Sequence, residues 1–192
     1  MDAYLKAPFF APEDQLPASL PPPEVIASAG VVLQEYTGRR VVRSGESYII
    51  KYGLNVSLTE GENMLFLKQN QMISVPEVYA LYSKEDDKGN KVNYIIMEYI
   101  EGESLDVCWP LLDLCDKDQI ASQLRVCFAT LRNIPALEYF GCVGRRPFED
   151  LIFWVSPKTD HDQYRHIRGP FNSEAELNTA LVQKYLYNGG FV

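Results

Sequence analysis

Val41-Val42-Arg43-Ser44-Gly45-Glu46-Ser47-Tyr48-Ile49-Ile50-Lys51-Tyr52-Gly53 is the stretch on which the reading of this chain turns. Two short runs of β-branched and aromatic residues flank the Ser44-Gly45 turn, the pattern of a tight hairpin. Side chains alternate along a strand, so Ser47, Ile49 and Lys51 share one face, and the lysine is carried on the sheet surface.

Working outward, Val31-Val32-Leu33-Gln34-Glu35-Tyr36 and Thr37-Gly38 precede this stretch and extend it into a small antiparallel meander. After it, Ser57-Leu58-Thr59-Glu60 has the spacing of a capping box and opens a helix running to about Gln71, which Pro76 forbids from continuing. Val78-Tyr79-Ala80-Leu81-Tyr82 and Val92-Asn93-Tyr94-Ile95-Ile96-Met97-Glu98 are two further strands joined by the charged turn Glu85 to Asn90. The second is almost continuously apolar and is expected at the centre of the sheet.

Beyond Gly102 the pattern turns helical: Leu105 to Leu114 weakly, then Asp116 to Arg132 with Ile120, Leu124, Phe128 and Leu131 at helical spacing. A last helix starts at Ser173, with Glu176 completing a capping box, and ends at Gly189-Gly190. Before residue 24, Pro8, Pro12, Pro17, Pro21, Pro22 and Pro23 predict an extended arm without helix or ladder. Three segments result: a proline-rich arm at 1–23, an antiparallel sheet with one helix at 24–102, and helices at 103–192. The fold class is α+β.

With 192 residues, 46% hydrophobic and 23% charged, the chain can bury one sizeable core. A formal charge of -8 and no basic patch exclude a nucleic-acid or anionic-membrane surface. No run approaches the roughly 20 apolar residues that span a bilayer. Cys108, Cys115, Cys127 and Cys142 show no C-x-x-C spacing, and His161 and His166 lie downstream of them, so no zinc site is expected. Met1 to Lys6 lacks a basic start followed by an apolar run, so a cytoplasmic protein with reduced thiols is expected.

Five pieces in order carry a resemblance: Lys51-Tyr52-Gly53, the helix acid Glu60, Val75-Pro76-Glu77-Val78-Tyr79, Ile96 to Leu105 with Glu101-Gly102-Glu103, and Gly169-Pro170-Phe171-Asn172-Ser173-Glu174. Together they resemble the fungal branch of the aminoglycoside phosphotransferase and choline kinase-like family, over roughly Val41 to Leu181. The resemblance implies a protein-kinase-like fold: an antiparallel-sheet N-lobe with one helix, then an incomplete helical C-lobe.

It also implies a site. Lys51 would hold the α- and β-phosphates of ATP, since an ammonium there neutralises and positions the phosphate chain. Glu60 would orient Lys51; Met64 and Leu67 share its helix face, so its carboxylate seeks a cation. Periodicity alone leaves open a second arrangement, in which Glu60 only completes the capping box and Glu62 faces solvent beside it. Met97, Glu98, Tyr99 and Ile100 would connect the lobes, their main chain hydrogen-bonding adenine and Met97 lying behind the ring. The single glycines of Thr37-Gly38 and Ser44-Gly45 are not the G-x-G-x-x-G of a phosphate cradle.

The family's His-Gly-Asp segment, its following asparagine and its magnesium-binding aspartate are not among these residues: His161 precedes Asp162-Gln163, and His166 precedes Ile167-Arg168. Asp150 and Asp160-His161-Asp162 read as loop acids. No catalytic or metal residue is therefore assigned, magnesium is not expected to bind, and any ATP is expected to bind weakly. The chain reads as a kinase-like accessory protein or remnant, of the kind found with fungal secondary metabolism. The alternative is an ATP-dependent hydroxyl kinase whose remaining C-lobe comes from a longer chain or a partner. The apolar faces of the later helices predict a protein partner or self-association.

Overall fold

The computed structural model describes residues 4–70, 73–153, 155 and 165–190. They form an α+β protein with one six-stranded antiparallel sheet and several helices. Leu5–Ile134 forms one compact unit, and the chain from Pro135 onward forms a second, which includes Tyr4.

In the first unit the strands are β1 (Phe9–Phe10), β2 (Val31–Tyr36), β3 (Arg39–Ser44), β4 (Tyr48–Gly53), β5 (Val78–Glu85) and β6 (Lys91–Glu98). Their order across the sheet is β1-β5-β6-β4-β3-β2. The apolar strand β6 is internal as expected, and Tyr94, Ile95 and Ile96 are buried on it. The β2, β3 and β4 strands form the predicted meander. The charged turn closes as predicted, with Asp86 N–H donating to the Asn90 carbonyl at 2.9 Å.

Each face of the sheet has its own cover. Ile26 on α1 (Pro23–Ala29) packs with Val42, Tyr48, Ile50, Tyr94 and Ile96, and Ala11, Leu16 and Leu20 add to that cluster. On the other face, Leu65 of α2 (Thr59–Gln69) meets Val56, Val78, Leu81 and Ile95. Alternation along β6 sends Ile95 and Ile96 to opposite clusters, which is why both are buried.

Three expectations are corrected. The arm does form a ladder: Phe9 pairs with Leu81 and Phe10 with Ala80, and Ala11 N–H donates to the Tyr79 carbonyl at 2.8 Å. Pro8 and Pro12 flank the pair rather than interrupt it, and an edge strand tolerates that. Residues from Glu24 begin with a helix, not a strand, because Pro23 occupies the first helical position, where its missing N–H is harmless. The capping box at Ser57 does not form: Leu58 already has helical angles and is the N-cap residue, and the Ser57 hydroxyl accepts from Thr59 N–H at 3.2 Å.

Farther on, α3 (Leu105–Cys108) is a single turn followed by a 3-10 turn at Trp109–Leu111, so the weak helical stretch is broken where Pro110 intervenes. The helix α4 (Leu114–Arg132) forms, capped by the Asp113 carboxylate, which accepts from Asp116 N–H at 2.8 Å. In the second unit, Phe153, Phe171 and Ala180 form a small core with Phe148 and Leu177. Its helix α5 (Glu174–Tyr187) starts as predicted, the Ser173 hydroxyl accepting from Glu176 N–H at 3.2 Å. The expected helix end at Gln71 lies outside the described residues.

Candidate functional site

Lys51 stands on β4 between Val41 of β3 and Ile95 of β6. One step along the same face come Arg43, Ile49 and Met97, in register across β3, β4 and β6. Val41, Arg43, Ile49, Lys51 and Met97 are all half-buried, so this face is shielded but not closed. The lysine ammonium is ion-paired with the Glu60 carboxylate on the first turn of α2. The Lys51 side chain is 16% exposed against 44% for Glu60, so the cation is the more sheltered partner.

Glu62 is not in solvent beside Glu60. It is 3% exposed, and its Oε1 accepts from Ala7 N–H at 3.0 Å, so this carboxylate anchors the N-terminal arm. The two acids thus divide their work by helix angle: Glu60 turns to β4, Glu62 inward to the arm.

The start of α2 is held in place by Asn93. Its Nδ2 donates to the Val56 carbonyl at 2.7 Å and its Oδ1 accepts from the Ser83 hydroxyl at 2.7 Å. Asn93 pairs with Gly53, so one β6 side chain fixes the connection that delivers Glu60. Gly53 has φ of 144°, and a Cβ there would meet the Gly38 carbonyl oxygen at 2.1 Å; no other residue fits. Asn55 N–H also donates to that carbonyl at 2.9 Å, and its Nδ2 to the Thr37 carbonyl at 3.1 Å. The Thr37-Gly38 turn is therefore used to brace the β4–α2 connection.

The residues expected between lobes are placed unequally. Met97 lies on the Lys51 face, beside Ile49. Glu98 falls on the opposite face, level with Tyr48; its N–H donates to the Glu77 carbonyl at 2.8 Å and its Oε2 accepts from Glu77 N–H at 3.0 Å. The neighbouring Lys68–Glu77 pair, at 2.7 Å, raises the Lys68 pKa through its hydrogen bond. Burial, then the charges of Glu98 and Glu77, raises that of Tyr79. Tyr99 N–H donates to the Ser47 carbonyl at 2.9 Å, and the Arg43 guanidinium lies 4.1 Å above the Tyr99 ring. Ile100 is 59% exposed.

Sequence reasoning missed Val41, Arg43 and Asn93. Val41 and Arg43 were legible by alternation, but only once the register of β3 against β4 is known. Asn93 carries no sequence signal, since its partners lie 10 and 37 residues away. Asp150 is a local cap, accepting from Ile152 N–H at 2.8 Å, and Asp160, His161 and Asp162 lie outside the described residues. Among the described residues no group of three His, Cys, Asp or Glu side chains is arranged to hold a metal ion, and no helix is long and apolar enough to cross a membrane.

Comparison with family models, with curated proteins and with solved structures found no match.

Proposed function

We propose that this is an aminoglycoside phosphotransferase-like protein of the kinase-like fold, whose sheet face at Lys51 binds ATP weakly and which by itself transfers no phosphate. The observation that carries the reading is the Lys51–Glu60 ion pair joining a strand to the helix that follows it. In kinases a strand lysine paired with a helix glutamate holds the nucleotide phosphates. Ile49, Val41 and Met97 add an apolar floor on the same face, suited to a purine.

On this reading Lys51 positions phosphate and neutralises its charge, while Glu60 keeps the ammonium from swinging to solvent. Proton removal from an acceptor hydroxyl and magnesium binding both require carboxylates that these 192 residues do not offer in the family's pattern. An accessory role beside enzymes of secondary metabolism, in the cytoplasm, follows from the same resemblance.

Calorimetry with ATP and adenosine, with and without magnesium, tests the proposal. The expected Kd for ATP is on the order of 10⁻⁴ M or weaker and nearly independent of magnesium, because charge-assisted contacts worth about 1.5–3 kcal/mol each are missing. Absence of binding by both ligands overturns the nucleotide site. Tight magnesium-dependent binding, or phosphate transfer lost on Lys51→Ala, overturns the non-catalytic reading.

A further inference from the structure

The second unit contains a cavity of about 420 Å³ that the nucleotide reading does not use. One wall is the Gly169-Pro170-Phe171 loop; the other is a single stripe of α5, where Ala175, Thr179 and Gln183 recur every four residues. Its volume falls within the range of small-molecule sites. It stays open because Ala175 and Ala180 are small where the loop passes, while Phe171, 4% exposed, gives it an aromatic side.

The polar side chains among the described residues that line this cavity are His166, whose ring carries an N–H, and Glu176, Thr179 and Gln183, which offer acceptor oxygens. Gln183 Oε1 is shielded from solvent and has no hydrogen-bond partner among the described residues, an arrangement that costs free energy unless something donates to it. Thr179 spends its hydroxyl proton on the Ala175 carbonyl at 2.8 Å, so its oxygen too remains available only to accept. Glu176, at the exposed edge, has one carboxylate oxygen occupied by Asn172 N–H at 2.8 Å, and its charge disfavours an anion. No lysine or arginine lines the cavity among the described residues.

We propose that this cavity is a binding site for a small neutral molecule carrying an N–H donor, of the primary-amide class, on an aromatic body. The amide N–H groups donate to Gln183 Oε1 and Thr179 Oγ1, and the ring lies against Phe171 and Pro170. An isosteric carboxylate lacks the donor and meets Glu176.

Ligand-observed NMR on the full chain, with 2-naphthamide as the probe and 2-naphthoate as its anionic counterpart, tests this. The amide is expected to bind and the carboxylate at least tenfold more weakly. Gln183→Leu should weaken the amide about five- to tenfold, the loss of one hydrogen bond to an otherwise unsatisfied acceptor. Thr179→Phe fills the cavity from an exposed position and should abolish binding; Ala175→Leu serves the same purpose if that variant does not fold, as judged by circular dichroism. No binding of 2-naphthamide, binding that survives both cavity-filling variants, or equal binding of the carboxylate each overturns the proposal.

Discussion

Lys51 and Glu60 join the centre of the sheet to the first turn of the helix that covers it, and the lysine is the better buried of the two. The pair is partly solvated, so it contributes little to stability, on the order of 0–1 kcal/mol. Lys51→Ala and Glu60→Gln should both fold, with urea midpoints close to that of the unmodified chain. Their ligand effects should differ: Lys51→Ala weakens ATP about tenfold or more and adenosine hardly at all, whereas Glu60→Gln weakens ATP less, since the ammonium remains. Equal losses of ATP and adenosine in Lys51→Ala would mean that the lysine does not act on phosphate.

Gly61, next to Glu60, lets α2 lie close on β5. A Cβ there would stand 2.2 Å from Leu81 Cδ2, and Leu81 is fully buried. Gly61→Ala gains up to about 1 kcal/mol of helix propensity but must displace a packed side chain, which costs about 1–3 kcal/mol. A net loss of stability is expected in urea unfolding, together with weaker ATP binding because Glu60 moves with the helix. A stabilised variant would show that the helix is not held as close as described.

Tyr82 lies on an aromatic ladder: its ring stacks on Tyr94 at 4.9 Å and on Phe10 at 5.5 Å, and Tyr94 stacks on Tyr52. Burial pushes the Tyr82 phenol up to about 12 from an ordinary value of 10.0, with Tyr94 as the next cause. The native state thus holds a proton that the unfolded chain releases more readily, so this stabilisation is complete below pH 10 and is lost as pH rises toward about 12. Absorbance titration of the phenolates should show a late group that ionises together with loss of the folded circular-dichroism signal. Ionisation of all tyrosines near pH 10 with the fold intact would contradict the buried ladder.

On α4, Leu124 and Phe128, one turn apart on the same face, are 48% and 54% exposed, and no residue of this helix is buried. We propose that a second copy of the chain covers part of this surface, which is apolar enough to favour association. Light scattering after size-exclusion chromatography should show concentration-dependent dimers that Phe128→Glu disperses. A monomer at all concentrations, with no binding of an apolar dye, would remove the proposal.

The order of strands and helices was largely legible because it depends on local patterns. Runs of β-branched and aromatic residues marked β2 to β6, turn residues separated the hairpins, and Ser173 with Glu176 announced α5. The arm was misread because prolines signal only what a residue cannot do, and the Phe9–Phe10 ladder depends on a β5 edge about 70 residues away. The start of α1 was misread although Pro23 and Glu24 carried a helix-start signal, which the proline run beside it masked.

For the candidate site, the sequence by itself determined which residue types were available and that Lys51 would lie on a strand face with Ile49. Whether Lys51 met Glu60 or some other acid was a tertiary decision. Both Glu60 and Glu62 occupy the first turn of α2, and only the helix position, set by Asn93 on Val56 and by Gly61 on Leu81, turns Glu60 toward β4 and sends Glu62 to the arm. A strand pattern carries no register, so the company of Val41, Arg43 and Met97 around Lys51 came from pairing, because hydrogen bonds across the sheet link residues that the sequence keeps far apart.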